Sequence, residues 1–258
     1  MTLNAAHGRG TAFHQAFVGR RRVLENLEAI AALVLAEAPD VVALQELDAP
    51  SAWSGGFDHL EHLAALTGYA HAFHGIHARF ARPRIAYGTG VLSRHPLEAG
   101  ESARFAKNAL DTKGYVVARV RAPGGAVDVV SVHLDFKRTS ERRRQLEDVS
   151  EHLARRGGGA PLVVAGDFNC PLDGRGDVLG AFARRHGLAA AEAPAPSFPA
   201  RRPRRSLDHV LASAPLAIVE QRAILAAVSD HLPVLAVLDG ARETPTPPDP
   251  GEALAAGA

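Results

Sequence analysis

A chain of 258 residues with 47% apolar side chains is long enough for one domain with a sizeable core. Its 29 basic and 28 acidic residues leave a formal charge of +1, which excludes a disordered polyelectrolyte and a protein that holds nucleic acid by bulk charge alone. The single cysteine, Cys170, excludes an internal disulfide framework and a cysteine-built zinc site, and no apolar run approaches the ~20 residues needed to cross a bilayer.

The start, MTLNAAHGRG, has no basic stretch followed by an apolar one, so no signal peptide is read and the expected location is cytoplasmic. Met1–Ala5 reads as a clipped strand. Over Arg21–Glu37, Val23, Leu27, Ile30 and Val34 recur at helical spacing, giving an amphipathic helix that Pro39 ends. Val41–Glu46 then reads as a buried strand. Trp53 and Phe57 follow in a loop, where they either line a cleft or form a local core. Asp58–Thr67 suits a helix with Gly68 past its end. His59 and His62 on that helix lack a third ligand and are read as surface residues. Tyr87–Ser93, Tyr115–Arg121, Val127–Leu134, Leu162–Ala165, Leu207–Ala212 and Leu232–Leu238 are further strands. Ser140–Leu153 is a charged helix whose arginines, Arg142 to Arg144, read as a solvated face. Gly176–His186 is a shorter helix, and Cys170 a small packed residue. Ala191–Arg205 carries Pro194, Pro196, Pro199 and Pro203 and reads as a long surface loop. Its Arg201, Arg202, Arg204 and Arg205 either face solvent or contact phosphates. The domain is set at residues 1–239, with 240–258 as a disordered tail of Pro, Ala and Gly.

Asn4, Glu46, His133, Asp167, Asn169, Asp208, Asp230 and His231 each stand at or just beyond an apolar run. Polar groups at the ends of buried strands converge on one rim of a sheet, where a rigid scaffold presents chemistry. Glu46 closes a buried strand, which is costly unless something pairs with it. In Gly166-Asp167-Phe168-Asn169, either the residues simply form a turn, or Asp167 orients a water and Asn169 donates to a phosphoryl oxygen. Asp230 and His231 are adjacent in an extended segment and point opposite ways, so they take different roles. Asp208 points inward beside apolar neighbours and calls for a partner such as a histidine.

Taken in order, Asn4, Gln45-Glu46, Ser131-Val132-His133-Leu134, Gly166-Asp167-Phe168-Asn169, Ser206-Leu207-Asp208-His209 and Ser229-Asp230-His231 resemble the motifs of the endonuclease/exonuclease/phosphatase superfamily, over about residues 1–239. The resemblance implies an α/β fold of the DNase I type, a four-layer α-β-β-α sandwich of two mainly antiparallel sheets. It also implies Mg²⁺-dependent attack of water on a phosphate ester, with Mn²⁺ as a substitute. Asn4, Glu46 and Asp230 match the metal-site positions. Asp167 matches the residue that orients the water, and Asn169 and His133 match phosphate contacts. His231 matches the histidine near the scissile phosphorus, and Asp208 its carboxylate partner. Asp111-Thr112-Lys113-Gly114-Tyr115 resembles a loop of sphingomyelinase-like members. Two departures stand out: only three residues precede Asn4 in the first strand, and Tyr87-Gly88-Thr89-Gly90 stands where members often carry Asn, which leaves a role for Tyr87 open. The expected activity is hydrolysis of a phosphate ester, a diester before a monoester. A DNA nuclease, a sphingomyelinase-like phospholipid phosphodiesterase and a catalytically inactive binding module are the alternatives. Nucleic acid and membrane lipid both stay open as partners, and no obligate protein partner is evident.

Overall fold

A computed structural model describes residues 1–105, 112–157, 159–172 and 177–240. Its strands are β1 (Thr2–Asn4), β2 (Val41–Asp48), β3 (His71–Phe80), β4 (Ile85–Ser93), β5 (Leu97–Arg104), β6 (Gly114–Ala122), β7 (Gly125–His133), β8 (Leu162–Asp167), β9 (Leu188–Ala190), β10 (Asp208–Ser213), β11 (Leu216–Ala223) and β12 (Val234–Gly240). The helices are α1 (Arg20–Glu37), α2 (His59–Thr67), α3 (Thr139–Arg156) and α4 (Val178–Arg185). The expected start of α4, Gly176, and the residues of the expected tail after Gly240 lie outside the described residues.

Two six-stranded sheets form, in the orders β11-β12-β1-β2-β4-β3 and β5-β6-β7-β8-β10-β9. Parallel pairing occurs between β1 and β2 and between β7 and β8, and the other pairs are antiparallel. The period-two alternation of the central strands sorts their side chains into two layers. On β2, Val42 and Leu44 face α1 and α2, where they meet Val23, Leu27, Ile30 and Leu63. Ala43 faces the other way, into a thin layer of Val and Ala between the sheets that includes Val91, Val116, Val129 and Ala165. On β7 and β8, Val130, Val132 and Val164 face α3 and α4 through Leu146, Val149, Leu179 and Phe182. The result is the expected four-layer sandwich. No helix among the described residues is long and apolar enough to cross a membrane.

The short first strand is central, since β1 pairs with β12 on one side and β2 on the other. The registers carry the last residues of β1, β2, β7 and β8 and the first residues of β10 and β12 to the same end of the sandwich. That end holds the expected rim.

The structure departs from the sequence reading in three places. The strands β3, β5, β9 and β11 were not expected. His59, expected at the surface, is fully buried: it hydrogen-bonds Ser54 O at 3.2 Å and stacks against Phe57. Arg142 of the supposedly solvated helix face is also buried, donating to Asp135 O and Thr139 Oγ1 and so tying down the start of α3.

Candidate active site

One cleft at the strand ends is lined by Asn4, Glu46, His133, Asp167, Asn169, Asp230 and His231, with Lys113, Phe136, Phe198 and Arg205 beside them. Asp208 lies buried behind His231. The eight residues expected at the site are therefore in one place. A larger, mostly apolar cavity of about 390 Å³ opens at the opposite end, among Val41, Val120, Val163 and Leu238, far from these groups.

A β-bulge delivers Glu46. The β2–β4 register shifts between Leu44 and Leu47, and both leucines pack on the helix side. Glu46 is the extra residue between them, and its φ of 50° lifts it out of the pleat. Its neighbour Gln45 turns between the sheets, donating to Thr2 Oγ1 and to Ser131 Oγ at 3.1 Å. No described residue hydrogen-bonds the Glu46 carboxylate: His7 Nε2 and His133 Nε2 stand off at 3.5 and 3.8 Å. Burial opposes its charge, but His7, His133, Lys113 and Arg9 together outweigh burial and hold its carboxyl well below the usual range.

Asp167 is the centre of the cleft. Its Oδ1 accepts from the Asn169 amide N–H at 2.9 Å, and Asn4 Nδ2 donates to its Oδ2 at 3.1 Å. His133 Nε2 and His231 Nε2 approach the same oxygen at 3.5 and 3.8 Å. Burial pushes Asp167 up to about 6, a shift that His231 opposes and Asp208 reinforces. Asn169, at φ 53°, spends one side-chain N–H on Leu134 O and still lines the cleft.

His231 Nδ1 lies 2.8 Å from Asp208 Oδ2, an oxygen that also accepts from Ser197 Oγ at 2.6 Å. Burial works against a charged imidazole here, yet Asp208 and Asp167 raise His231 to about 10. Burial and Lys113 instead hold His133 well below its ordinary value, so two histidines of one cleft are shifted in opposite directions. Lys113, from the loop before β6, contacts His133 Nε2. The start of that loop, Asp111, lies outside the described residues.

Several partners escaped the sequence reading. Arg9 Nη2 pairs with Asp230 Oδ2 at 2.7 Å, so this carboxylate carries a cation from the β1–α1 loop. Asp48, buried at the end of β2, accepts from Trp53 Nε1 at 2.8 Å and holds His7 Nδ1 at 2.8 Å. His7 packs edge-on against Trp53 and Tyr87 and turns Nε2 towards Glu46. Trp53 thus belongs to the wall behind the cleft, and Tyr87 contacts the site through His7.

Two groupings offer oxygen or nitrogen donors to a metal. Ligand atoms of Asp167, Asp208 and His231 lie within 4.8 Å of one another. In that set, however, Asp208 Oδ2 is already held by Ser197 and His231 in a hydrogen-bonded relay. Although its Oδ1 is buried with no hydrogen-bond partner among the described residues, Asp208 does not line the cleft. Glu46 fits a divalent ion better: it is ionised, carries no hydrogen bond among the described residues, and faces the cleft beside Asn4. Hard oxygen donors of this kind suit Mg²⁺ or Mn²⁺.

A sandwich of two mixed sheets with acids and imidazoles gathered at its strand ends defines a hydrolase scaffold. The chain belongs to the endonuclease/exonuclease/phosphatase family, whose family model matches residues 1–231. It is 32% identical over 168 residues to the uncharacterized protein YbhP of Escherichia coli (strain K12). That match covers 60% of this chain and 63% of YbhP, so the chain aligns with less than two thirds of that relative. A shorter stretch of 85 residues is 31% identical to a sphingomyelinase of Mycobacterium bovis, covering 33% of this chain and 17% of that protein. Among solved structures, an endonuclease/exonuclease/phosphatase from Beutenbergia cavernae superposes with a TM-score of 0.72 at 25% identity, covering 93% of this chain and 70% of that one.

Proposed function

We propose that this protein is a divalent-metal-dependent phosphoesterase that cleaves a phosphodiester by attack of water. The observation that supports this most directly is the Asp208–His231–Asp167 array beside the ionised Glu46, which hydrogen-bonds no described residue. A divalent cation held by Glu46 and Asn4, with Asp230 across the cleft, would neutralise charge on the phosphoryl oxygens. Asp167, with a proton affinity poised near neutrality, orients the water and takes its proton. The water oxygen bonds to phosphorus as the bond to the leaving oxygen breaks, and that oxygen departs as an alkoxide that takes a proton from solvent. His231, kept cationic by Asp208, faces the negative charge that grows on the phosphoryl oxygens. Asn169 and His133 contact those oxygens as well.

Hydrolysis of a generic aryl phosphodiester, plasmid DNA, sphingomyelin and inositol phosphates, each with EDTA, Mg²⁺, Mn²⁺ or Ca²⁺, tests this reading. Turnover of at least one diester with Mg²⁺ or Mn²⁺, absent in EDTA, is expected. Full activity in EDTA, or turnover of monoesters alone, overturns it. The sphingomyelinase relative makes a phospholipid diester the first member of that panel to examine.

A further inference from the structure

The loops at the catalytic end share a surface character that the net charge of +1 conceals. Among the described residues, the three most exposed large apolar side chains are Phe13 at 94%, Leu225 at 87% and Phe17 at 83%. All three lie at this end. Phe13 and Phe17 stand in the segment between β1 and α1, and Leu225 in the segment between β11 and β12 that leads into Asp230 and His231. The first segment is anchored at the cleft: Arg9 pairs with Asp230, Arg201 donates to Thr11 Oγ1, and the His14 ring meets Trp53. A third loop at the same end, between β3 and β4, raises a hairpin that carries exposed Phe80 with Arg79, Arg82 and Arg84. None of these hairpin arginines is ion-paired among the described residues. Exposed Arg202 and Arg204 add charge from the segment before β10. The carboxylates Glu46, Asp167, Asp208 and Asp230 are in the cleft or behind it.

We infer that this rim docks the cleft onto an anionic lipid bilayer. An almost fully exposed phenyl or isobutyl group has no polar tip, and leaving several on one face is costly in water unless something covers them. A bilayer interface accepts such groups at the acyl boundary while neighbouring guanidinium groups meet lipid phosphates. A nucleic acid would use the same arginines, but it gains nothing from Leu225, which neither stacks nor donates a hydrogen bond. The observations therefore favour a membrane surface. This docking does not depend on the phosphoesterase reading, since it concerns the rim and not the reacting groups.

Co-sedimentation of the full chain with large vesicles of phosphatidylcholine, with and without phosphatidylglycerol, tests it. Binding is expected only with the anionic lipid, and it should weaken as salt is raised. Phe13→Ser combined with Phe17→Ser should reduce the vesicle partition coefficient about tenfold or more. Arg82→Gln combined with Arg84→Gln should reduce it about thirtyfold, from the increment each basic residue contributes near an anionic surface. Both variants alter exposed side chains, so circular dichroism and hydrolysis of a small soluble diester should match the wild type. Absence of sedimentation, or sedimentation indifferent to both double substitutions, overturns the inference. Retention of oligonucleotides without sedimentation, lost in the arginine variant, overturns it in favour of nucleic acid. Inactivity towards every diester while vesicle binding persists would remove the phosphoesterase reading and leave the docking intact.

Discussion

Asp167 and Asp208 are directly opposed Cα partners across the antiparallel β8–β10 pair, and the imidazole of His231 reaches both. Two buried carboxylates so placed repel each other unless a cation lies between them. Burial, reinforced by Asp208, raises Asp167 to about 6, while for His231 burial acts the other way and is outweighed by Asp208 and Asp167, which raise it to about 10.

The sign of the pH dependence follows. Asp167 must be a carboxylate to accept a proton, so kcat/KM should climb as pH rises through about 6. His231 must be cationic to face negative charge, so kcat/KM should fall as pH rises through about 10. Asp208→Asn removes a charge that raises both groups, so both limbs should move to lower pH. Superimposable profiles for the wild type and Asp208→Asn would show that this opposition of carboxylates has no part in catalysis.

Removal of the reacting groups should separate chemistry from binding. His231→Ala and Asp167→Ala are each expected to lower kcat by ~10²–10⁴-fold with a much smaller change in KM, because both act on charge and protons that develop in the transition state. Asp208→Asn should be milder, since the imidazole stays in place. Steady-state kinetics on one soluble diester measures this, and a wild-type kcat in His231→Ala would remove His231 from the mechanism.

Metal affinity gives a readout that needs no turnover. Calorimetric titration with Mn²⁺ should show Glu46→Gln binding at least ~10²-fold more weakly, from loss of the anionic donor. His7→Asn should weaken binding by ~10–100-fold, the usual cost of losing a group that orients a ligand, since His7 is fixed by Asp48 and turned towards Glu46. Unchanged affinity in Glu46→Gln would move the metal away from the end of β2.

The four strands that the sequence reading missed, β3, β5, β9 and β11, are the four edges of the two sheets. Central strands are buried on both faces and read as apolar runs, such as Val163-Val164-Ala165. An edge such as β5, with Glu98, Gly100 and Glu101 facing solvent, has no such run. In β3, His71, His74, His77 and Gly75 interrupt the alternation in the same way. The site was legible where a polar residue ends a central strand, as at Glu46, Asp167 and His133. It was not legible where the partner comes from a loop far away in sequence, as with Arg9 on Asp230 or Ser197 on Asp208. The burial of His59 did leave a signal. It stands four residues before Leu63, which the same helix face carries into the core.

Stability and catalysis should fail together at Gly166. It pairs with Val132 across the parallel β7–β8 ladder, one position before His133 pairs with Asp167. A Cβ on Gly166 would stand 2.0 Å from Val132 O and 2.9 Å from Val132 N, both backbone atoms that cannot rotate away. Its φ of 157° is also a backbone conformation that residues with a side chain rarely adopt, which adds strain to that collision. Gly166→Ala must therefore push the two strands apart, at a cost of about 1–3 kcal/mol or more, the range for overpacked interiors. The same displacement would widen the 3.5 Å approach of His133 to Asp167 and lower kcat. Gly124→Ala is the control, because no atom lies within 4 Å of the place its methyl group would take, and it should change neither property. Urea denaturation and kcat for both variants provide the measurement. A Gly166→Ala protein with wild-type midpoint and turnover would show that the β7–β8 spacing is not what brings His133 and Asp167 together.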